Sequence, residues 1–104
     1  MSKRTPPVFP AATRQLNELG GRIRAARLRR RMTQAALAVR ADVSLPTIRK
    51  LEHGDPTTSL ATMVRALQVL GLEQDISLLA ADDQLGRKLQ DIHQVGAPRG
   101  RIRS

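Results

Sequence analysis

The 104-residue chain contains no cysteine, no tryptophan and no tyrosine, and Phe9 is its only phenylalanine. Without cysteine there are no disulfides, thiolate zinc sites or cysteine nucleophiles, and a cytoplasmic location is expected. With a single phenylalanine as its only aromatic residue of these types, the chain cannot stack several nucleic-acid bases on aromatic side chains, as RNA-recognition sheets, OB-folds and cold-shock domains do. No apolar run approaches the roughly 20 residues of a membrane span, and the N-terminal residues lack a signal peptide's apolar core. We therefore expect one domain at most, with no membrane partner.

Positive charge is present in excess, because 18 lysines and arginines face 9 aspartates and glutamates, for a net charge of +9. Residues 14–31 carry seven arginines and one glutamate, which is two thirds of that excess. Such a run is more often a solvated face than a binding site, so it needs a geometric context. A polyanionic partner is the main interpretation. The competing one is a basic amphipathic helix on a membrane surface, although the aromatic anchors of such helices are lacking.

Apolar residues at three- and four-residue steps predict an all-α fold of five or six helices. The expected helices are Arg14–Met32, with Gly20–Gly21 able to divide it, Gln34–Val39 after Thr33, Thr47–His53 after Ser44, a helix from Ser59 to Gly71, Ile76–Ala80, and a short one with Leu85, Leu89 and Ile92. Along the chain we expect a flexible basic arm at 1–13, because three prolines oppose a helix there. A helical domain at 14–80, a C-terminal extension at 81–96 and a basic disordered tail at 97–104 follow.

The second and third predicted helices have the geometry of a helix-turn-helix, since both are short and a tight turn joins them. Thr33 and Ser44 are good N-caps for the two helices. With Ile48 and Leu51 inward, the third helix presents outward a set short enough for a major groove about 12 Å wide. That set is Ser44, Leu45, Pro46, Thr47, Arg49 and Lys50. Glu52 falls on the inward side and should have a cationic partner.

From Leu19 to Leu72 the chain resembles the phage-repressor-like, Xre-type helix-turn-helix regulators. The residues that carry the resemblance are Leu19-Gly20, Ile23-Arg24, Arg27, Met32-Thr33-Gln34, Leu37-Ala38, Ala41, Val43-Ser44, Thr47-Ile48, Leu51-Glu52, Gly54, Ser59-Leu60, Ala66-Leu67 and Leu70-Gly71. The resemblance implies a compact lambda-repressor-like bundle that binds a double-stranded DNA operator as a homodimer and regulates transcription as a repressor.

Residue roles follow from the resemblance and from charge. We expect the DNA base edges to be contacted by Ser44, Leu45 and Pro46, and by Arg49 and Lys50 one helical turn later. The resemblance implies that Gln34 binds a DNA phosphate, helped by the backbone amides at the helix N-terminus. The full set of expected phosphate contacts is Thr33, Gln34, Thr47, Arg22, Arg29, Arg30 and Arg40, and the arm (Lys3, Arg4) and tail (Arg99, Arg101, Arg103) could add others. The resemblance further implies a structural ion pair between Arg27 and Glu52.

Three positions depart from the family pattern. Leu45 replaces a frequent glutamine, so it cannot clasp an adenine but can press on a thymine methyl group, which leaves specificity to Arg49 and Lys50. Arg31 stands where glycine is usual, so the first helix is not expected to end in the usual left-handed cap. Ala36 replaces an acidic residue and removes a capping box.

A narrower resemblance, to HipB-type antitoxins, rests on residues 57–63, on the run 67–70 and on a tail beyond the helical core. It implies a protein that represses its own operon and neutralises a HipA-type kinase toxin. This alternative requires a protein-binding surface away from the third helix. The candidates are Leu78, Leu79, Leu85 and Leu89, which could instead close the core or a homodimer interface.

No catalytic constellation can be assembled. His53 and His93 have no acidic neighbour at metal-ligand spacing, and His53 is better placed to end the third helix near its negative pole. Asp82-Asp83 resembles a helix cap more than a general-base pair. There is no glycine-rich phosphate loop. We therefore expect no enzyme, no cofactor and no metal.

Overall fold

The computed structural model describes residues 7–96 of the chain. Those residues form helices and no strand, so the predicted all-helical class is confirmed. The elements are α1 (Pro10–Arg29), α2 (Gln34–Ala41), α3 (Leu45–Glu52), α4 (Leu60–Leu70), a 3-10 helix (Glu73–Leu78) and α5 (Gln84–Gly96). The chain divides into two compact units between Gln74 and Asp75.

Helix α1 begins four residues earlier than predicted. Pro10 is its first residue, and Phe9 precedes it in an extended conformation with φ −67° and ψ 154°. Proline suits this position because its missing N–H would be unpaired there and its φ is already helical. The expectation that proline keeps the whole of residues 1–13 out of a helix is therefore wrong for residues 10–13.

Two glycines join α1 to the C-terminal end of α3. A Cβ atom at Gly20 would lie 2.5 Å from the Glu52 carbonyl oxygen and 2.7 Å from the Gly54 nitrogen. Gly54 has φ +74°, and a Cβ there would collide with the Leu16 carbonyl. Gly20 therefore does not divide α1. Gly20 is the surface of α1 that contacts the backbone of residues 52–54. This packing offsets the roughly 1 kcal/mol of stability that a glycine costs inside a helix.

The end of α1 is a left-handed cap, contrary to the expectation drawn from Arg31. Arg31 has φ 53°, and the Arg31 and Met32 N–H groups donate to Leu28 O at 2.9 Å and Arg27 O at 3.2 Å. This is the Schellman arrangement, which pairs the carbonyls that a helix end leaves free. The Arg27 guanidinium also donates to Met32 O at 2.8 Å, which holds the turn in place despite the side chain at position 31.

Both predicted caps of the helix-turn-helix are confirmed. Thr33 Oγ1 accepts the Ala36 N–H at 3.0 Å, and Ser44 Oγ accepts the Thr47 N–H at 3.2 Å. The turn between α2 and α3 passes through Asp42, whose φ is 58°. Relative to the prediction, α2 extends to Ala41 and α3 starts at Leu45, because proline is accommodated at the second helical position.

The core of the first unit lies where its four α-helices meet. Ile23 of α1, Leu37 of α2 and Ile48 of α3 are its largest fully buried side chains. Ala66 and Leu67 of α4 are buried as well. Each large apolar side chain buried in this way contributes about 1.5–3 kcal/mol, so the inward faces of α1–α4 fix how these helices pack.

Helix α4 starts after the predicted cap, with Ser59 Oγ accepting the Thr62 N–H at 3.0 Å, and it ends at Gly71 with φ 75°. The helix predicted at Ile76–Ala80 is wrong in type and in bounds. The chain forms a 3-10 helix over Glu73–Leu78 that buries none of its residues. A short segment with no buried side chain has little packing to favour the longer α-helical ladder.

Helix α5 is the main element of the second unit. The expectation that Asp82-Asp83 caps a helix is confirmed for Asp83, whose Oδ1 accepts the Gly86 N–H at 2.8 Å. Asp82 instead pairs with Arg87 at 2.7 Å. The leucines at 78, 79, 85 and 89 are 51–72% exposed, so none belongs to the buried core as one interpretation expected.

Candidate nucleic-acid interface

Helix α3 is amphipathic, with one face in the core and the other exposed. Ile48, Leu51 and Glu52 are buried, whereas Ser44, Pro46, Arg49 and Lys50 are exposed. The outward set predicted from the sequence is therefore correct at these four exposed positions. Leu45 and Thr47, which the sequence also placed outward, are only half-exposed.

The first turn of α3 is held by its own side chains. The Ser44 and Thr47 hydroxyl groups lie 2.7 Å apart, and Ser44 also accepts the Thr47 N–H. These bonds fix the direction in which α3 starts. They also engage both hydroxyls, so any contact that Ser44 makes to a base or Thr47 makes to a phosphate must share atoms with the cap.

A buried network ties α3 to α1 and α2. Arg27 Nε and Nη2 donate to the Glu52 carboxylate at 2.7 and 3.0 Å, and the two residues are only 5% and 7% exposed. The structure thus contains the ion pair that the family resemblance implies. Gln34 Nε2 donates to the same carboxylate at 3.0 Å. Glu52 of α3 is consequently a common acceptor for side chains of α1 and α2, a feature that spacing alone did not indicate.

The N-terminus of α2 carries two of the predicted phosphate contacts. Thr33 is exposed and caps the helix, while Gln34 is half-buried and bonded to Glu52. One N–H of the Gln34 amide is thereby occupied, which leaves a second for an outside acceptor. Free backbone N–H groups in a first helical turn attract anions, so this end of α2 suits a phosphate electrostatically.

The arginines predicted to contact phosphate do not form one cluster. Arg22 and Arg29 are exposed and lie two turns apart on one flank of α1, by helical periodicity. Arg30 is exposed but its Nη1 donates to Ala26 O at 2.7 Å, so it also caps the end of α1. Arg40 is exposed in the last turn of α2.

Several interactions near the motif escaped sequence reasoning. Arg65 Nη1 donates to Asp42 O at 3.2 Å, which ties α4 to the turn of the helix-turn-helix. In the loop after α3, hydrogen bonds from the Thr57 hydroxyl and then the Thr57 N–H hold the pKa of the Asp55 carboxyl below its ordinary value. An Asp-x-Thr signal for that turn was available in the sequence.

The arm residues Lys3 and Arg4 and the tail residues Arg99, Arg101 and Arg103 lie outside the described part of the chain. Within residues 7–96, His53 forms the C-cap of α3 as expected, and no group of three or more metal-ligating side chains occurs. No helix in this range has the length and apolar character needed to cross a membrane.

Residues 18–79, more than half of the chain, match the family model described as a helix-turn-helix domain. The chain belongs to this family. Searches of curated proteins and of solved structures returned no match. The matched range contains α2 and α3 with their caps, the buried network and the exposed face of α3. Membership of the family indicates a DNA-binding protein, and the domain is typically non-enzymatic.

Proposed function

We propose that this protein is a sequence-specific, double-stranded DNA-binding transcriptional repressor of the Xre type that acts on its own operon as a homodimer. The carrying observation is α3, a capped helix buried on one face and presenting Arg49 and Lys50 on the other. In helix-turn-helix proteins, the second helix of the motif lies in the major groove of the DNA, and α3 is that second helix. We assign this role to the domain at residues 14–80.

Sequence discrimination is assigned to five residues, namely Ser44, Leu45, Pro46, Arg49 and Lys50. Arg49 is the best suited, since its exposed guanidinium can bond the O6 and N7 atoms of guanine together. Leu45 and Pro46 offer apolar surface to a thymine methyl group. Ser44 has its hydroxyl engaged in the cap, which makes it the weakest contributor of the five.

Phosphate binding is assigned first to the N-terminus of α2, where Thr33 and Gln34 lie. Thr47 and Arg40 extend this surface on the same two helices. Gln34 supports the proposal particularly well, because it joins the proposed phosphate site to Glu52 of α3 through one hydrogen bond. A phosphate held there would fix α3 in its register on the duplex, as backbone contacts do in such complexes.

The homodimer is assigned to the second unit. Leu85, Leu89 and Ile92 recur at the spacing of one α5 face and are 68%, 51% and 68% exposed. A helix of 13 residues is marginal in water without tertiary packing, so this face favours association with another apolar surface. A symmetric pair would place two copies of α3 on two operator half-sites.

The main experiment is a selection of bound sequences from random duplex DNA, followed by fluorescence anisotropy on the selected site and on a scrambled duplex. Arg49→Ala should lose about 1–3 kcal/mol of discrimination between the two duplexes. Arg14→Ala, an equal charge change at an exposed position of α1, should leave the discrimination unchanged. Failure to recover any preferred sequence with the wild-type protein would refute the proposal.

Gln34→Ala should weaken binding to both duplexes alike, because a phosphate contact carries no base information. Binding should also fall steeply with salt, with log K losing about 0.9 per phosphate contact for each tenfold rise in salt. Circular dichroism must accompany the Gln34 measurement, since this variant also removes a hydrogen bond to Glu52. A flat salt dependence on duplex DNA would contradict the assignment.

A second candidate function is that of a HipB-type antitoxin that binds a HipA-type kinase. The observation in its favour is that the second unit exposes Leu78 and Leu79 in addition to the apolar residues of α5. The test is kinase activity in a native lysate fraction captured by the protein. Inhibition by wild type but not by Leu79→Asp, a position outside the proposed homodimer face, with both proteins binding DNA equally, would support it. If the protein captures no kinase, the antitoxin function is refuted and only the repressor function remains.

A further inference from the structure

Resting on the proposed function, we infer that the phosphate contact made by α1 comes from Arg24, on the flank that borders the C-terminal turn of α3, and not from Arg22 or Arg29. The sequence does not favour Arg24, because all three arginines lie in the same basic run and only Arg22 and Arg29 are among the phosphate contacts expected from it. The packing of α1 against α3 distinguishes them, because it places Arg24 on a different flank of α1 from Arg22 and Arg29.

Two helical neighbours of Arg24 contact residue 52 of α3. Gly20, one turn before, packs so closely that a Cβ there would lie 2.5 Å from the Glu52 carbonyl oxygen. Arg27, three residues after, bonds the Glu52 carboxylate at 2.7 Å. Residues at i−4 and i+3 share a helix face with residue i. Arg24 therefore lies beside the end of α3, and it is exposed there.

Arg22 lies about 200° around the helix axis from Arg24, at 100° per residue. Arg29 follows Arg22 by seven residues and so shares its flank. Neither can border α3 while Gly20 and Arg27 face it. The same rotation explains why α1 cannot use all of its positive charge on one surface, even though the charge is concentrated in one stretch.

The position of Arg24 fits a phosphate and not a base. A helix lying in the major groove has a sugar-phosphate strand on either side, and its exposed Arg49 and Lys50 point into the groove. A cation on the neighbouring helix, level with the last turn of α3, meets the strand that borders the groove. Arg24 makes no hydrogen bond within the described residues, so its guanidinium is available to that strand.

The test compares Arg24→Gln with Arg22→Gln, which make the same charge change two residues apart on exposed positions of one helix. Affinity for one duplex is measured by anisotropy from 50 to 200 mM salt. Arg24→Gln should reduce the slope of log K against log salt by about 0.9, so that its deficit shrinks about 3.5-fold over this range. Arg22→Gln should keep the wild-type slope, and Arg24→Lys should restore it.

Equal slopes for the two glutamine variants would overturn the assignment, because the charges would then act only through the overall field. A larger effect of Arg22→Gln would overturn it in favour of the opposite flank. Both results require that the wild-type protein binds duplex DNA with a salt-dependent affinity. If it does not, the proposed function itself fails, and the two failures are thereby distinguished.

Discussion

Removing one partner of the buried Arg27–Glu52 pair should cost far more than removing both. In Glu52→Leu, the Arg27 side chain, which is buried in the wild type, would keep only its bond to Met32 O at 2.8 Å. In Arg27→Met, the Glu52 carboxylate would keep only the Gln34 amide at 3.0 Å. Each single variant thus leaves an uncompensated charge inside the bundle.

The expected loss is about 3–5 kcal/mol for either single variant, the usual cost of breaking a buried ion pair from one side. The double variant Arg27→Met/Glu52→Leu replaces the pair with apolar groups and should lose less than either single one. Its residual loss comes from Met32 O and the Gln34 amide, whose hydrogen bonds are worth about 1 kcal/mol each. The losses of the two single variants should therefore add up to much more than the loss of the double variant.

Urea denaturation followed by circular dichroism measures these differences. With a slope of about 1.5 kcal/mol per M, a loss of 3–5 kcal/mol lowers the midpoint by about 2–3 M. Glu18→Gln on the exposed side of α1 is the control and should change stability by no more than about 0.5 kcal/mol. Additive losses in the double variant would show that the two residues act independently, which would refute the reasoning.

Three further outcomes are expected. Gly54→Ala should destabilise the fold clearly more than Gly71→Ala in thermal denaturation, because both have a positive φ but only the first Cβ would meet a neighbour; equal losses would contradict the packing argument. Arg31→Gly should raise the melting temperature by several degrees, corresponding to about 1 kcal/mol, and a decrease would argue against strain at φ 53°. Thr57→Val should raise the pKa of Asp55 towards its ordinary value in an NMR titration, and an unchanged value would exclude the hydroxyl as the main cause. Since the folded-state pKa is depressed, this carboxyl stabilises the fold above its unfolded pKa and loses that effect as pH falls through the folded one.

The local elements of the first unit were largely predictable. Thr33, Ser44 and Ser59 each cap the helix predicted to follow them, because capping depends on a side-chain oxygen and an N–H only three residues away. The inward positions Ile48 and Leu51 were predictable for a similar reason, since helical periodicity is a local property.

Where prediction failed, a neighbouring segment decided the outcome. Arg31 adopts a left-handed conformation, which residue preference disfavours, because the Arg27 guanidinium holds the following carbonyl. Gly20 does not interrupt α1, because the absence of a side chain there admits the backbone of α3. The segment after Gly71 lacks buried side chains and forms a 3-10 helix in place of the predicted α-helix.

The sequence by itself determined the all-helical class, the helix-turn-helix with its caps and the concentration of positive charge on residues 14–31. These depend on periodicity, capping and composition, which act over a few residues. Tertiary structure alone decided that Glu52 also accepts a bond from Gln34, and that Arg24 borders α3 while Arg22 lies on the far flank. The first depends on how α2 packs against α3, and the second on the rotation of α1 about its axis, which shows in the contacts of Gly20 and Arg27 with residue 52.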